Sequence, residues 1–279
     1  MNSAPNSVSL AGLGYRVLIR FCQTVPALLA KPLLRSLSFL YWICAGRARK
    51  TVASQLKLLG FPHSSSREVF FHFACFLYEF FSKKSPHIYE RSLLEEQMTT
   101  TFGQPGSEGG LLLLPHTGNW ELALRWLLSQ GYPVSTVALA HSSQEIDQIF
   151  QGLRHHSNLE IYPLEHGARK CLKALKNNRI VALACERDYT GKGLRVDLDG
   201  FSTHFPVGPG WLMCTDKWKT ALVECHRLSL MTINIKLHPF ESEGDVREVT
   251  QSLAKSIYQL IRKHPSQWIT FDPILEAAS

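Results

Sequence analysis

The sequence predicts an α/β fold: a mostly parallel central sheet flanked by helices, with an N-terminal helical membrane-associating extension. Three observations lead there. Residues 111–114 form an unbroken apolar run, Leu-Leu-Leu-Leu, of the kind a fully buried strand shows. From that run to Ala184, strand-like and helix-like segments alternate, as in a parallel sheet covered on both faces. Before residue 60 helical patterning prevails.

Taken in order, residues 1–10 are polar and carry no element signal. Leu13 to Gly60 reads as helical, with breaks expected near Pro26 and Pro32. Its longest uncharged apolar run, Ser36 to Gly46, falls short of the roughly 18–20 residues that span a bilayer. Arg35 precedes it, and Arg47, Arg49 and Lys50 follow. An apolar helix with basic ends and the aromatic Phe39, Tyr41 and Trp42 suits the surface of a membrane; the alternative is a buried helix with solvated ends. Arg47 to Leu59 is a further helix, closed by Gly60.

Ser65 and Glu68 form a capping-box pattern ahead of Val69 to Phe81. That run holds Phe70, Phe71, Phe73, Phe76, Tyr78, Phe80 and Phe81 around all sides of a helix, so burial in the core is favoured over contact with lipid. Thr99 to Gly110 reads as a loop. Then come the strand Leu111–Leu114, a helix Asn119–Gln130, a strand Val134–Ala140 and a helix Ser143–His155. A strand Leu159–Tyr162, a helix Ala168–Asn177 and a buried strand Ile180–Ala184 complete the alternation. Leu194–Asp199 is a later strand, Ala221–His238 a hairpin turning at 228–231, and Val246–Lys263 a closing amphipathic helix. This divides the chain at residue 60, into a helical segment 1–60 and an α/β domain 61–279.

Composition narrows the class. With 45% hydrophobic and 19% charged residues, 279 residues suffice for a sizeable core and argue against a long disordered tail. The net charge of +7 implies an anionic partner: a nucleic acid, a phospholipid surface or an acidic carrier. No nucleic-acid-binding motif is present, and the basic residues are dispersed beside apolar segments, which disfavours nucleic acid. Seven scattered cysteines without a Cys-x-x-Cys pair argue against disulfides and structural zinc and for a reducing compartment. A secretory signal is not expected, because Arg16 and Arg20 interrupt the first apolar stretch.

His116 and Glu121 are the leading catalytic pair. Spacing alone means little, since His63/Glu68, His155/Glu160 and His238/Glu243 share it. Only His116 follows a buried strand directly, at the edge where open α/β sheets place their active sites. Gly118 allows a tight turn, and Asn119 can cap a helix whose free N–H groups face an incoming anion. A histidine oriented by a carboxylate can activate a hydroxyl. The alternative is a turn histidine bonded to backbone, with Glu121 complementing the helix dipole. Adjacent histidines at 155 and 156 point about 100° apart on a helix, so a metal there with His166 is not expected. Cys185, closing a strand, reads as packing rather than as a nucleophile.

The segment 111–121, LLLLPHTGNWE, resembles the first motif of the bacterial lipid A biosynthesis (lauroyl/myristoyl) acyltransferase family, within the lysophospholipid acyltransferase superfamily. The resemblance runs from about Arg47 to Trp268. It includes RARKTVASQLKLLGF, Arg154, the block ACERDYTGKGLRVDLDGFSTHFPVGPG and IRKHPSQW. Glu-Arg-Asp-Tyr at 186–189 is similar to the phosphatidylinositol mannoside acyltransferases rather than to the Asp-Gln-Asp of lipid A enzymes. Two departures stand out: Leu198-Asp199 replace an aromatic pair before Gly200, and a basic-aromatic tail after Trp268 is missing.

The resemblance implies a glycerolipid acyltransferase-like fold and transfer of a fatty acyl group to a hydroxyl of a glycolipid or phospholipid. The donor would be an acyl thioester, acyl-CoA or acyl-carrier protein, with no cofactor and no metal. It implies His116 as base, with Glu121 or Glu186 as its partner. Asn119, Trp120, Arg154, Arg187, Asp188, Gly208 and Pro209 would bind substrate, the arginines holding phosphate or pantetheine oxygens. The aromatic helix 69–81 is one candidate lining for the acyl chain. The implied place is the cytoplasmic face of the inner (plasma) membrane, peripheral or monotopic. A non-catalytic lipid-binding or membrane-assembly protein on the same fold is the alternative.

Overall fold

In the computed structural model, residues 10–62, 65–139 and 143–278 are described. The first nine residues, His63 of the His63/Glu68 pair and the end of the expected strand at Ala140 lie outside them.

Among the described residues three helices come first: α1 (Leu10–Thr24), α2 (Ala27–Cys44) and α3 (Gly46–Leu58). The break falls at Pro26, but α2 continues through Pro32. A proline there removes one hydrogen bond to the carbonyl of Leu28, which lies on an exposed turn where water can replace it. α2 therefore runs 18 residues, with a mean hydropathy of 1.2, long and apolar enough to cross a membrane by length and composition. The uncharged run 36–46 understated it, because Lys31 and Arg35 interrupt the longer apolar helix without ending it.

These helices pack on α4 (Ser66–Ser82). Cys22, Ala30 and Leu34 meet Cys75, Tyr78, Phe80 and Phe81 in one buried cluster. The expected capping box does not form: Ser65 is already helical (φ −64, ψ −19), and Glu68 pairs with Arg35 at 2.8 Å.

Next come β1 (His87–Tyr89), α5 (Arg91–Phe102), β2 (Gly110–Leu114), α6 (Trp120–Ser129) and β3 (Val134–Ala138). They are followed by α7 (Gln144–Arg154), β4 (Leu159–Pro163), α8 (Gly167–Lys176) and β5 (Ile180–Ala184). The chain ends with β6 (Leu194–Leu198), β7 (Phe201–Phe205), α9 (Val207–Thr215), β8 (Lys219–Ser229), β9 (Thr232–Pro239), α10 (Val246–Lys263) and β10 (Leu275–Ala277). α5 absorbs Thr99–Phe102, so the loop starts later than expected; Leu94, Met98 and Phe102 recur at helical spacing and are buried.

The main sheet has seven strands in the order β1-β9-β8-β2-β5-β3-β4, all pairs parallel except the β8–β9 hairpin. A small antiparallel sheet, β10-β7-β6, stands apart. β2 is central and buried along its whole length, so its side chains feed both cores. Leu111 and Leu113 pack with α8, α9 and α10 on one face, while Leu112 and Leu114 pack with α5 and α6 on the other. β2 and β5 run in register from Gly110–Ile180 to Leu114–Ala184, so their carboxyl ends leave the sheet side by side.

Candidate active site

His116 stands two residues beyond Leu114 and Glu186 two beyond Ala184, so the β2–β5 register carries both to one level. His116 Nδ1 lies 2.8 Å from Glu186 Oε1, and the His116 backbone N–H donates to the same oxygen at 3.2 Å. The Trp268 indole N–H donates to it as well, at 3.3 Å. Glu186 is fully buried, which by itself would raise its pKa. The facing His116 and the Arg187 guanidinium outweigh that and bring it down to about 2. An ionised acceptor on Nδ1 makes that nitrogen the protonated one and leaves the lone pair on Nε2. The imidazole is partly exposed and borders the large cavity described below.

The turn behind the histidine is tightly built. Gly118 has φ +62, and a Cβ there would lie 2.5 Å from the Cys225 carbonyl oxygen. Its N–H donates to Gln267 O, while Ile269 N–H donates to His116 O. Residues 264–269 thus form a strap that grips the turn from outside the sheet. Asn119 Oδ1 caps α6 by accepting from Leu122 N–H at 3.1 Å, as its residue type suggested. The other side of its carboxamide donates to Glu79 Oε2 at 2.7 Å. Trp120 opens α6, stacks on Phe76 at 4.4 Å and meets the His116 ring edge-on at 4.7 Å.

Glu121 does not reach the histidine. It lies in the first turn of α6 and turns toward α7, where Arg154 Nε donates to both its oxygens at 3.1 and 3.2 Å and Nη2 adds a third bond. Of the two carboxylates the sequence left open as partners, the structure brings Glu186 to the ring. The reason is register: adjacent parallel strands align their ends, whereas a helix start points its second residue away from the preceding strand. The Arg154 guanidinium, expected on substrate oxygens, is bound to Glu121 at the cavity wall.

Arg187 is largely covered; its Nη2 bonds the Ile269 carbonyl, and its Nε, 3.4 Å from Glu186 Oε1, has no hydrogen-bond partner among the described residues. Asp188 shapes the following loop, accepting from Thr190 N–H at 2.8 Å and Gly193 N–H at 2.6 Å. Those donors hold its carboxyl below the usual range despite partial burial. Gly208 and Pro209 sit in the first turn of α9, whose N-terminus borders the cavity.

That cavity, about 970 Å³, opens along the carboxyl edge of the sheet beside His116. It lies near the upper end of the roughly 300–1,000 Å³ of small-molecule sites. One apolar arm runs between α5, α6 and the sheet, past Leu94, Met98, Leu127 and Ile235. The other follows β5 and α8 past Val137, Leu183 and Cys171. The aromatic helix α4 contributes nothing to the lining; its rings fill the core, so that candidate for the acyl groove falls away. Cys185 is buried, bonds the Leu114 carbonyl and has its pKa pushed well up by burial, as packing requires.

Residue-by-residue reading missed the buried frame beneath the turn. Glu79 receives Arg227 Nε at 2.8 Å and Nη2 at 2.7 Å, both groups hidden from solvent. Gln267 braces Arg227 through its backbone N–H and carbonyl, at 2.6 and 2.9 Å. A lone carboxylate inside the run Phe-Phe-His-Phe-Ala-Cys-Phe-Leu-Tyr-Glu-Phe-Phe was the available signal.

A family model for the bacterial lipid A biosynthesis acyltransferases matches residues 62–275. Phosphatidylinositol mannoside acyltransferase from Mycobacterium tuberculosis is 34% identical over 172 residues, covering 59% of this chain and 54% of its own. The Mycolicibacterium smegmatis protein of the same name is 32% identical over 171 residues, covering 59% and 56%. The chain spans about half the length of the curated relatives it matches.

Proposed function

Since this chain belongs to the bacterial lipid A biosynthesis acyltransferase family, we propose that it moves a fatty acyl group from an acyl thioester to a lipid hydroxyl, with His116 as general base. The observation that carries this is the His116–Glu186 pair, 2.8 Å apart, at the edge of a largely apolar cavity. Nε2 takes the proton of the hydroxyl as its oxygen attacks the thioester carbonyl carbon. Glu186 fixes the tautomer and balances the imidazolium charge. The Trp120 and Glu121 N–H groups of α6, which the Asn119 cap does not take up, would serve the developing oxyanion. Collapse expels the thiolate, which the imidazolium can protonate, and leaves the new ester. No metal or cofactor is needed, because a thioester carries its own leaving group.

The acceptor is a glycolipid or phospholipid, with phosphatidylinositol mannosides favoured by the relatives' names. The donor is acyl-CoA or acyl-carrier protein. Trp120 walls the reacting centre; Arg154 and Arg187 on the cavity lining would meet a donor's phosphates, and Asp188 the hydroxyls of the acceptor's head group. Residues 1–60 hold the protein on the cytoplasmic face of the membrane. Leu29, Leu33, Leu37 and Leu40 of α2 recur at helical spacing and are exposed, while Lys31 and Arg35 lie among them.

The test is an assay of purified protein with labelled acyl-CoA, acyl-carrier protein and membrane lipid extract. Wild type should release thiol and form acylated lipid, and His116→Ala should not. Equal rates in the two would remove the catalytic reading. Lipid capture without transfer in either would favour the lipid-binding alternative. Flotation of a chain lacking residues 1–46 tests attachment; unchanged partition would remove the N-terminal anchor.

A further inference from the structure

Across the sheet from the cavity's α5–α6 arm, three histidines converge on one acid. Glu224 and His226 alternate along β8 and point to the same face, His238 comes from β9, and His264 closes α10. Glu224 receives His238 Nε2 at 2.9 Å and His264 Nε2 at 3.3 Å, and the rings of His226 and His264 stack 3.9 Å apart. The ligand atoms of Glu224, His226 and His264 all lie within 4.8 Å of one another. His226 Nδ1 is buried and has no hydrogen-bond partner among the described residues; Glu224 Oε1, at 3.9 Å, is too far. A buried ring nitrogen beside a carboxylate and a second imidazole offers a cation three donors.

We propose that Glu224, His226 and His264 bind a divalent transition-metal ion of the zinc type, with His238 as fourth ligand. Nitrogen and carboxylate donors in this number suit tetrahedral zinc at about 2.0–2.2 Å. An imidazole nitrogen donates in the plane of its ring, so the stacked His226 and His264 rings, 18° from parallel, must rotate apart for both to face one ion. The Lys263 ammonium now occupies the cation's place, 2.6 Å from Glu224 Oε2, but it is half exposed on a flexible stem and can swing out.

None of these four residues lines the cavity beside His116. The ion joins β8 and β9 to the start of the 264–269 strap. That strap carries Trp268 to Glu186 and Gln267 to Gly118, so the metal ties down the outer support of the histidine turn.

The experiment uses the full chain, stripped with chelator and titrated with Zn2+ and Co2+. Wild type should bind one equivalent, raise its thermal midpoint and give the visible absorption of tetrahedral Co2+. His226→Gln with His264→Gln should weaken binding more than about tenfold, since even outer-shell changes cost roughly 10- to 100-fold. If that pair fails to fold, the half-exposed His238→Ala decides by the same titration, with a lowered affinity expected. Binding that is absent in wild type, or unchanged in the folded variants, overturns the site.

Discussion

His116 and Glu186 are bound at 2.8 Å because each lies two residues past the same rung, Leu114 beside Ala184, of neighbouring parallel strands. Strand register, rather than helix geometry, therefore selects the carboxylate that orients the imidazole. Two carboxylates near one histidine then have separable duties, and substitution should distinguish them.

Glu186→Gln keeps the shape but removes the charge that fixes the tautomer. Its turnover should fall by roughly 10²–10⁴, the range of general-base catalysis and its orienting acid. Glu121→Gln loosens Arg154 instead and should act mainly on KM. Steady-state kinetics on both variants checks this; equal losses of kcat would refute the division of labour.

Acid should destabilise the fold in two stages. His226, with its pKa lowered from 6.5 to about 4, takes up its proton in the unfolded chain first, so stability falls as pH drops from about 6.5 toward 4. Glu186 and Glu224, lowered from 4.5 to about 2, contribute stability above 4.5 that is lost as pH falls through 2. Urea unfolding across pH 2–7 should show both slopes, and Glu186→Gln should flatten the lower one. An unchanged lower slope in that variant would contradict the assignment.

Gly118→Ala meets two obstacles, the positive φ of +62 and a carbonyl oxygen 2.5 Å from the new Cβ. The left-handed conformation alone costs about 1–2 kcal/mol in an L-residue, and the contact adds to it. Denaturant unfolding should show a loss above about 2 kcal/mol, with turnover falling further than stability because the His116 turn must shift. Full activity in a folded Ala variant would mean that the turn does not position the base.

Arg227→Ala would leave the Glu79 carboxylate buried and unpaired, an expected loss of about 3–5 kcal/mol. Asn119→Ala should cost about 1 kcal/mol for the lost cap and leave Glu79 one donor short. The two residues share that carboxylate, so their effects should not add, which a double-mutant cycle measures. Strict additivity would show that the frame is not one network.

Much of the site is legible in the sequence. The strand before His116, the turn at Gly118, the cap at Asn119 and α10 over Val246–Lys263 all follow from local pattern, because each depends on neighbours a few residues away. Elements with weak local signals were missed, such as the short strand β7 and the helix α9 with its Gly-Pro start. The capping box at Ser65 failed for a different reason: a distant arginine captured Glu68.

By itself, the sequence determined the α/β alternation and set His116 just beyond the carboxyl end of a buried strand. Only the tertiary structure decided that this histidine pairs with Glu186, that Glu121 pairs with Arg154, and that Glu79 and Arg227 brace the turn beneath it. Local structure follows from propensity and periodicity along the chain. Partners 70 and 148 residues apart are chosen by strand register and by the need of every buried charge for an opposite one, which no local window contains.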